Sequence, residues 1–167
     1  IRLVVPNEIA GNERRIALSP DVAKKLNATG VKISMQKGAA ESSHFNDGDF
    51  EGVNIVDDAQ ALYSNADVIF KVQPPTVDEV KQMPDGAVVV SFMAPHNNAD
   101  MMQVMNDKKI TSFAMELIPR ITRAQSMDAL SSQASIAGYM GVLMAAQLAS
   151  VFFPMLTTAA GTIRPAR

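Results

Sequence analysis

Short apolar, β-branched runs alternate along this chain with stretches of helical character, and that alternation restricts the fold more than any other property. Residues 2–5, 31–35, 54–56, 68–71, 87–92 and 110–114 read as strands. Helices read between them: Pro20 at a first helical position after Ser19, with Asp21 in the first turn and Gly30 just past the end. Residues 57–65 read as a short helix and 98–107 as another, and Thr76 caps a third over 77–83, with Asp78 and Glu79 in its favourable first turn. Strands separated by helices pair in parallel, and a parallel sheet is covered on both faces. The continuous apolar run at 87–92 fits a strand buried on both sides. The expected class is α/β: a Rossmann-like or flavodoxin-like parallel sheet with helices on both faces, plus a long C-terminal connecting helix.

That last helix is read from 126 to about 153, where small and apolar residues predominate until Pro154. At about 1.5 Å per residue it would be roughly 40 Å long. It is not a membrane span, because Gln147, Gly138 and Gly141 interrupt it before an apolar run reaches roughly 18 residues. A helix apolar on most sides needs a neighbour, either a second domain or another copy of the chain. The organisation expected is an N-terminal α/β domain over 1–125, a long interdomain helix over 126–153, and a tail over 154–167. No signal-peptide pattern opens the sequence, since residues 1–5 read as strand and Pro6 follows at once.

Composition excludes several functions. A formal net charge of −2 argues against a nucleic-acid partner. With no Cys, disulfide and thiol chemistry are excluded, and two isolated His offer no metal-ligand spacing, so no metal is expected. The 11 Met, many of them between 83 and 115, suit either awkward core gaps or an adaptable contact surface. No glycine-rich dinucleotide fingerprint is present; Gly138 and Gly141 lie inside the long helix, with no strand leading into them.

Three segments carry candidate chemistry. Arg120-Ile121-Thr122-Arg123-Ala124-Gln125-Ser126-Met127-Asp128 sets a guanidinium, an amide and a carboxylate at the mouth of the long helix, with Ser131 in its first turn. This suits a polar loop held against a ligand by a rigid support; the plainer reading is a surface Arg120–Asp128 ion pair with Gln125 solvated. The other two are Glu8-Ile9-Ala10-Gly11-Asn12-Glu13-Arg14-Arg15-Ile16-Ala17-Leu18-Ser19-Pro20 and Phe70-Lys71-Val72-Gln73-Pro74. The first segment is similar to the Arg-Gln-Asp loop of proton-translocating nicotinamide nucleotide transhydrogenases, in their NAD(H)-binding component. The other two resemble elements shared by transhydrogenases and alanine dehydrogenases. The chain thus resembles the N-terminal domain of the alanine dehydrogenase/transhydrogenase family over essentially its whole length.

The resemblance implies a component of an enzyme that moves hydride from NADH to NADP+, coupled to proton translocation by separate membrane subunits. Arg120, Gln125 and Asp128 would bear on the nicotinamide of NAD(H), and Ser131 would add a nucleotide contact. NADP(H) would sit on a partner component, beside a membrane proton-channel component. The tail would lead into an NAD-binding Rossmann domain absent from this sequence, leaving the isolated chain inactive. A homodimer is implied, cytoplasmic and peripheral on the inner membrane through partner subunits of the bacterial type.

Hydride transfer between nicotinamides requires no acid, base or nucleophile from the protein. The rival is the N-terminal domain of an alanine dehydrogenase, in which Arg15 and Lys71 would hold pyruvate; in a transhydrogenase the pair would be a vestigial oxyacid site. Alanine dehydrogenases carry a catalytic His after the strand matching 88–92, where this chain has Ala94, with His96 displaced by two positions. His96 and His44 therefore read as ordinary loop residues, and imine reduction lacks a placed proton donor. A third reading is a non-catalytic assembly module.

Overall fold

The computed structural model describes residues 1–166. Its strands are β1 (Arg2–Val5), β2 (Lys32–Gln36), β3 (Asn54–Val56), β4 (Val68–Phe70), β5 (Val88–Ser91) and β6 (Thr111–Ala114). They form one sheet in the order β3-β2-β1-β4-β5-β6, with every pairing parallel. This is the Rossmann order rather than the flavodoxin one, and it reverses direction between β1 and β4.

Side chains alternate across a strand, so each strand feeds two cores. Leu3, Val5, Ile33 and Met35 pack on one face with Leu18, Phe50 and Ala23 of α1 (Pro20–Ala28). Val4, Ile69 and Val89 pack on the other. There they meet Leu62 and Tyr63 of α2 (Ala59–Tyr63), Val80 of α3 (Val77–Gln82), and Met101 and Met105 of α4 (Ala99–Asp107). Met83, Met93, Met101 and Met105 are all at most 3% exposed, so these thioethers fill core gaps. Each large apolar side chain buried in this way contributes roughly 1.5–3 kcal/mol.

Local signals are met unevenly. Thr76 and Glu79 form a reciprocal capping box at the start of α3, as the spacing requires. Ser19 occupies the N-cap of α1, but its side chain makes no capping bond. In β5 only Val89 and Ser91 are fully buried, and the alternate residues are half-buried. Between β2 and β3 the chain makes 3-10 turns at Glu41–Ser43 and Asp47–Asp49 instead of an α-helix.

Two units divide the chain, Ile1–Pro119 and the residues from Arg120 onward. The second begins with a 3-10 segment, Thr122–Met127, followed by α5 (Ala129–Leu148). At 20 residues, α5 is about 30 Å long, shorter than the expected span of 126–153. Its start is fixed by the Asp128 cap and its end by extended backbone at Ala149, ahead of Pro154. No residue of α5 is buried, and Ile136, Tyr139, Val142 and Leu148 are each more than half exposed. The tail, for which the sequence reads as giving no element of its own, holds an antiparallel hairpin, β7 (Leu156–Thr158) and β8 (Gly161–Ile163), with Gly161 at a φ of 127°. Arg167, the last residue of the expected tail, lies outside the described residues. Among the described residues no helix is long and apolar enough to cross a membrane.

Candidate functional site

The turn that leads into α5 is built by its own hydrogen bonds. The Ala124 N–H donates to the carbonyl of Ile121, and the Asp128 N–H to that of Gln125. The Asp128 carboxylate then accepts from the Ser131 N–H at 3.0 Å and from its hydroxyl at 2.6 Å. Those bonds hold the Asp128 carboxyl below the usual carboxylate range, the Ser131 hydroxyl first and the nearby Arg120 charge among the lesser causes. Arg120, Ile121, Thr122, Gln125, Asp128 and Ser131 line one concavity of about 310 Å³. The structure thus brings all four expected residues of this segment together.

Their roles in the turn differ. Arg120 acts on Asp128 only through space, and the carboxylate spends its short bonds on capping α5. Neither the Arg120 guanidinium nor the Gln125 amide has a hydrogen-bond partner among the described residues. An open guanidinium offers up to five donors, and an open amide both donates and accepts. The concavity is therefore equipped to take a planar group with its own carbonyl and amide.

Arg15 and Lys71 belong to a separate cluster in the first unit, at the C-terminal ends of β1 and β4 where the strand order reverses. Lys71 Nζ lies 2.8 Å from Glu79 Oε1 and 3.6 Å from Glu8 Oε2, and the Lys71 side chain is 1% exposed. Glu8 also accepts from the backbone N–H groups of Val72 and Gln73. Glu79 accepts from the Tyr63 hydroxyl at 3.3 Å as well as from the Thr76 N–H that it caps. Burial, with the Glu79 charge second, pushes the Tyr63 hydroxyl far above its ordinary range.

Arg15 holds Glu13 through Nε at 2.8 Å and Nη2 at 2.6 Å, and Gln73 Nε2 donates to the same carboxylate. The Arg15 guanidinium also lies 6.0 Å from the centre of the Phe92 ring. The Arg15 bonds are the main reason the Glu13 carboxyl falls to about 2, and Glu13 in turn raises Arg15. Both cations are thus neutralised from within the chain, and Lys71 is turned away from solvent. Three carboxylates, Glu8, Glu13 and Glu79, surround the two cations, which leaves little field for an oxyacid. Glu8, Glu13 and Gln73 stand inside the two segments singled out in the sequence but carry no role in that reading, and Glu79 reads there only as a favourable first-turn residue of α3. His44 and His96 are exposed loop residues, His44 with a φ of 63°. Among the described residues no group of His, Cys, Asp and Glu is arranged to hold a metal.

Residues 4–137 match the model of the family described as alanine dehydrogenase/PNT, N-terminal domain. An NAD(P) transhydrogenase alpha-subunit polypeptide of Rhodospirillum rubrum is 40% identical, and the match covers 100% of this chain and 45% of that protein. A solved structure of transhydrogenase from Sinorhizobium meliloti superposes with a TM-score of 0.91 at 40% identity, covering 99% of this chain and 50% of that one. An alanine dehydrogenase of Methanococcus maripaludis is 29% identical over 86% of this chain and 38% of its own length. The chain spans half or less of the length of each of these relatives. With the sheet order, the matched residues and these likenesses together, the chain belongs to the alanine dehydrogenase/PNT N-terminal domain family.

Proposed function

We propose that the intact protein is the NAD(H)-binding component of a transhydrogenase that moves hydride from NADH to NADP+. One observation carries this reading: among the described residues the Arg120 guanidinium and the Gln125 amide have no hydrogen-bond partner, in a concavity shared with Asp128 and Ser131. Two nicotinamides exchange hydride when their reacting carbons are held at roughly 3–3.5 Å with water kept out. The protein's task is orientation, because the cofactors supply the chemistry.

In this reading Arg120 and Gln125 hold the carboxamide of NAD(H), with Asp128 and Ser131 fixing the turn from behind. Oxidised nicotinamide is cationic and reduced nicotinamide is neutral, so a lone charge beside the ring would favour one form. Arg120 with Asp128 nearby presents charges of both signs and biases the redox balance little. Gln125 both donates and accepts, which lets it bridge to a second nucleotide.

The 40% identity to a transhydrogenase subunit, against 29% to an alanine dehydrogenase, supports the same reading. NADP(H) belongs on a partner component, and proton translocation belongs to separate membrane subunits. The intact protein carries an NAD-binding domain beyond α5, forms a homodimer, and works in the cytoplasm at the inner membrane through its partners. The isolated chain is inactive and binds NAD(H) weakly.

The test is a steady-state assay of the intact protein with its partner components. Oxidation of NADH by NADP+, with no oxidation by pyruvate and ammonia, is the expected result. The reverse pattern would assign alanine dehydrogenation instead, in which Arg15 would have to give up Glu13 to hold the substrate.

A further inference from the structure

Two loops of the first unit meet in an open, shallow depression of about 380 Å³. The loop from β1 to α1 gives it Arg14, Ile16 and Ser19, and the loop from β2 to β3 gives it Ser42, His44 and Phe45. A hydrogen bond spanning 29 residues ties the two together, from the Ser43 hydroxyl to the Arg14 carbonyl at 2.7 Å. The apolar side is anchored below: Ile16 and Phe45 pack on the sheet core, and the Phe45 ring meets the buried Phe50 ring edge-on at 6.1 Å. His44 closes the 3-10 turn at Glu41–Ser43 with a φ of 63°, its N–H donating to the Glu41 carbonyl at 3.0 Å.

The polar lining has one sign. Arg14 and His44 supply nitrogen donors, Ser19 and Ser42 supply hydroxyls, and no carboxylate lines the depression, although the chain's formal net charge is −2. None of these four side chains makes a hydrogen bond or ion pair among the described residues. Ser19 stands at the N-cap of α1 without bonding the helix. Arg15 also lines the depression, but its guanidinium is committed to Glu13 and neutralises that carboxylate. A guanidinium fork, an imidazole and two hydroxyls around one depression are complementary to a tetrahedral oxyanion, whose oxygens all accept hydrogen bonds. Phosphate suits them best, since it carries a charge of about −1.5 to −2 near neutral pH.

We propose that this depression binds a phosphate group, free or as a small phosphomonoester, with Arg14 and His44 against its oxygens and Ser19 and Ser42 donating to it. The site shares no residue with the nucleotide-facing turn, so its failure would leave the transhydrogenase reading untouched. The test is calorimetric titration of the intact protein with inorganic phosphate, in excess NADH so that phosphate does not enter a nucleotide site. Chloride at matched ionic strength is the control. Saturable binding of phosphate, about tenfold or more tighter than chloride, is expected. Glycerol 3-phosphate is titrated beside it. Tighter binding than inorganic phosphate would support the site as one for a monoester, and equal or weaker binding would support it as one for free phosphate. Arg14→Gln should weaken phosphate about tenfold, and Arg14→Glu should abolish its binding. His44→Asn, which tolerates the positive φ, should weaken it about threefold. Absence of saturable heat with phosphate up to about 10 mM would overturn the proposal. So would equal affinity for phosphate and chloride, or an Arg14→Glu protein that binds phosphate unchanged. Should Arg14→Glu fail to fold by circular dichroism, Arg14→Gln and His44→Asn decide in its place.

Discussion

Ser131 gives two hydrogen bonds to one carboxylate, that of Asp128, from its N–H at 3.0 Å and from its hydroxyl at 2.6 Å. The pair caps α5 and sets the direction in which the preceding turn enters the helix. Asp128→Ala removes the cap and should lower the melting temperature by about 2–4 °C. Asp128→Asn keeps an oxygen acceptor and should lose much less. Scanning calorimetry of both variants checks this, and equal losses would contradict the capping role.

Gln125 and Arg120 both lack hydrogen-bond partners among the described residues but should fail in different ways when altered. Gln125→Asn withdraws the amide by one methylene. It should slow single-turnover hydride transfer in the intact enzyme about tenfold while leaving NADH binding nearly unchanged. On the proposed reading, Arg120→Ala removes donors that would hold the carboxamide in both ground and transition states, so binding and transfer should both weaken. Titration of NADH beside stopped-flow transfer separates the two effects. Parallel losses in Gln125→Asn would make Gln125 a binding residue only.

Lys71 lies between Glu8 and Glu79, with its side chain 1% exposed. Lys71→Met strands two carboxylates and should cost about 3–5 kcal/mol in chemical denaturation. Adding Glu79→Gln should recover part of that loss, because the two changes share one interaction. A Lys71→Met protein of unaltered stability would contradict the structural role and return Lys71 to the ligand-facing cations.

The acid limb of stability should depend on Glu13. Its folded-state carboxyl lies at about 2, below the ordinary 4.5, because Arg15 bonds the ionised form. A carboxylate depressed in this way stabilises the fold fully above the ordinary value, and that contribution is lost as pH falls from there toward 2. Asp67 and Asp128 are lowered as well, by Arg2 and by Ser131, and share the limb. Glu13→Gln should therefore flatten the loss of stability between about pH 4.5 and 2, leaving the profile above that range level. Denaturant midpoints measured across acid pH give the comparison, and an unchanged slope would contradict it.

The sheet was legible because short apolar and β-branched runs alternate with helical stretches that carry punctuation such as Pro20, Gly30 or Thr76. The order of strands was legible only as a class, since periodicity does not say which neighbours pair. The hairpin over Leu156–Ile163 was hidden because its residues are all exposed, so no buried face imposed alternation. The turn from Arg120 to Ser131 was readable because its bonds are local; Asp128 and Ser131 stand three residues apart. The partners of Lys71 were not, since Glu8 reaches the β4 end across 64 residues, from its carboxylate to the Val72 N–H. Glu79 announced itself as a helix cap, and nothing in its spacing reveals that the same carboxylate also holds Lys71 and Tyr63.

The most direct measurement is a crystal structure of the intact protein with NADH bound. The nicotinamide carboxamide should lie within hydrogen-bond reach of the Arg120 guanidinium and the Gln125 amide, with the Asp128–Ser131 bonds retained. A nicotinamide ring seated elsewhere, with both side chains still facing solvent, would contradict the assignment of this turn.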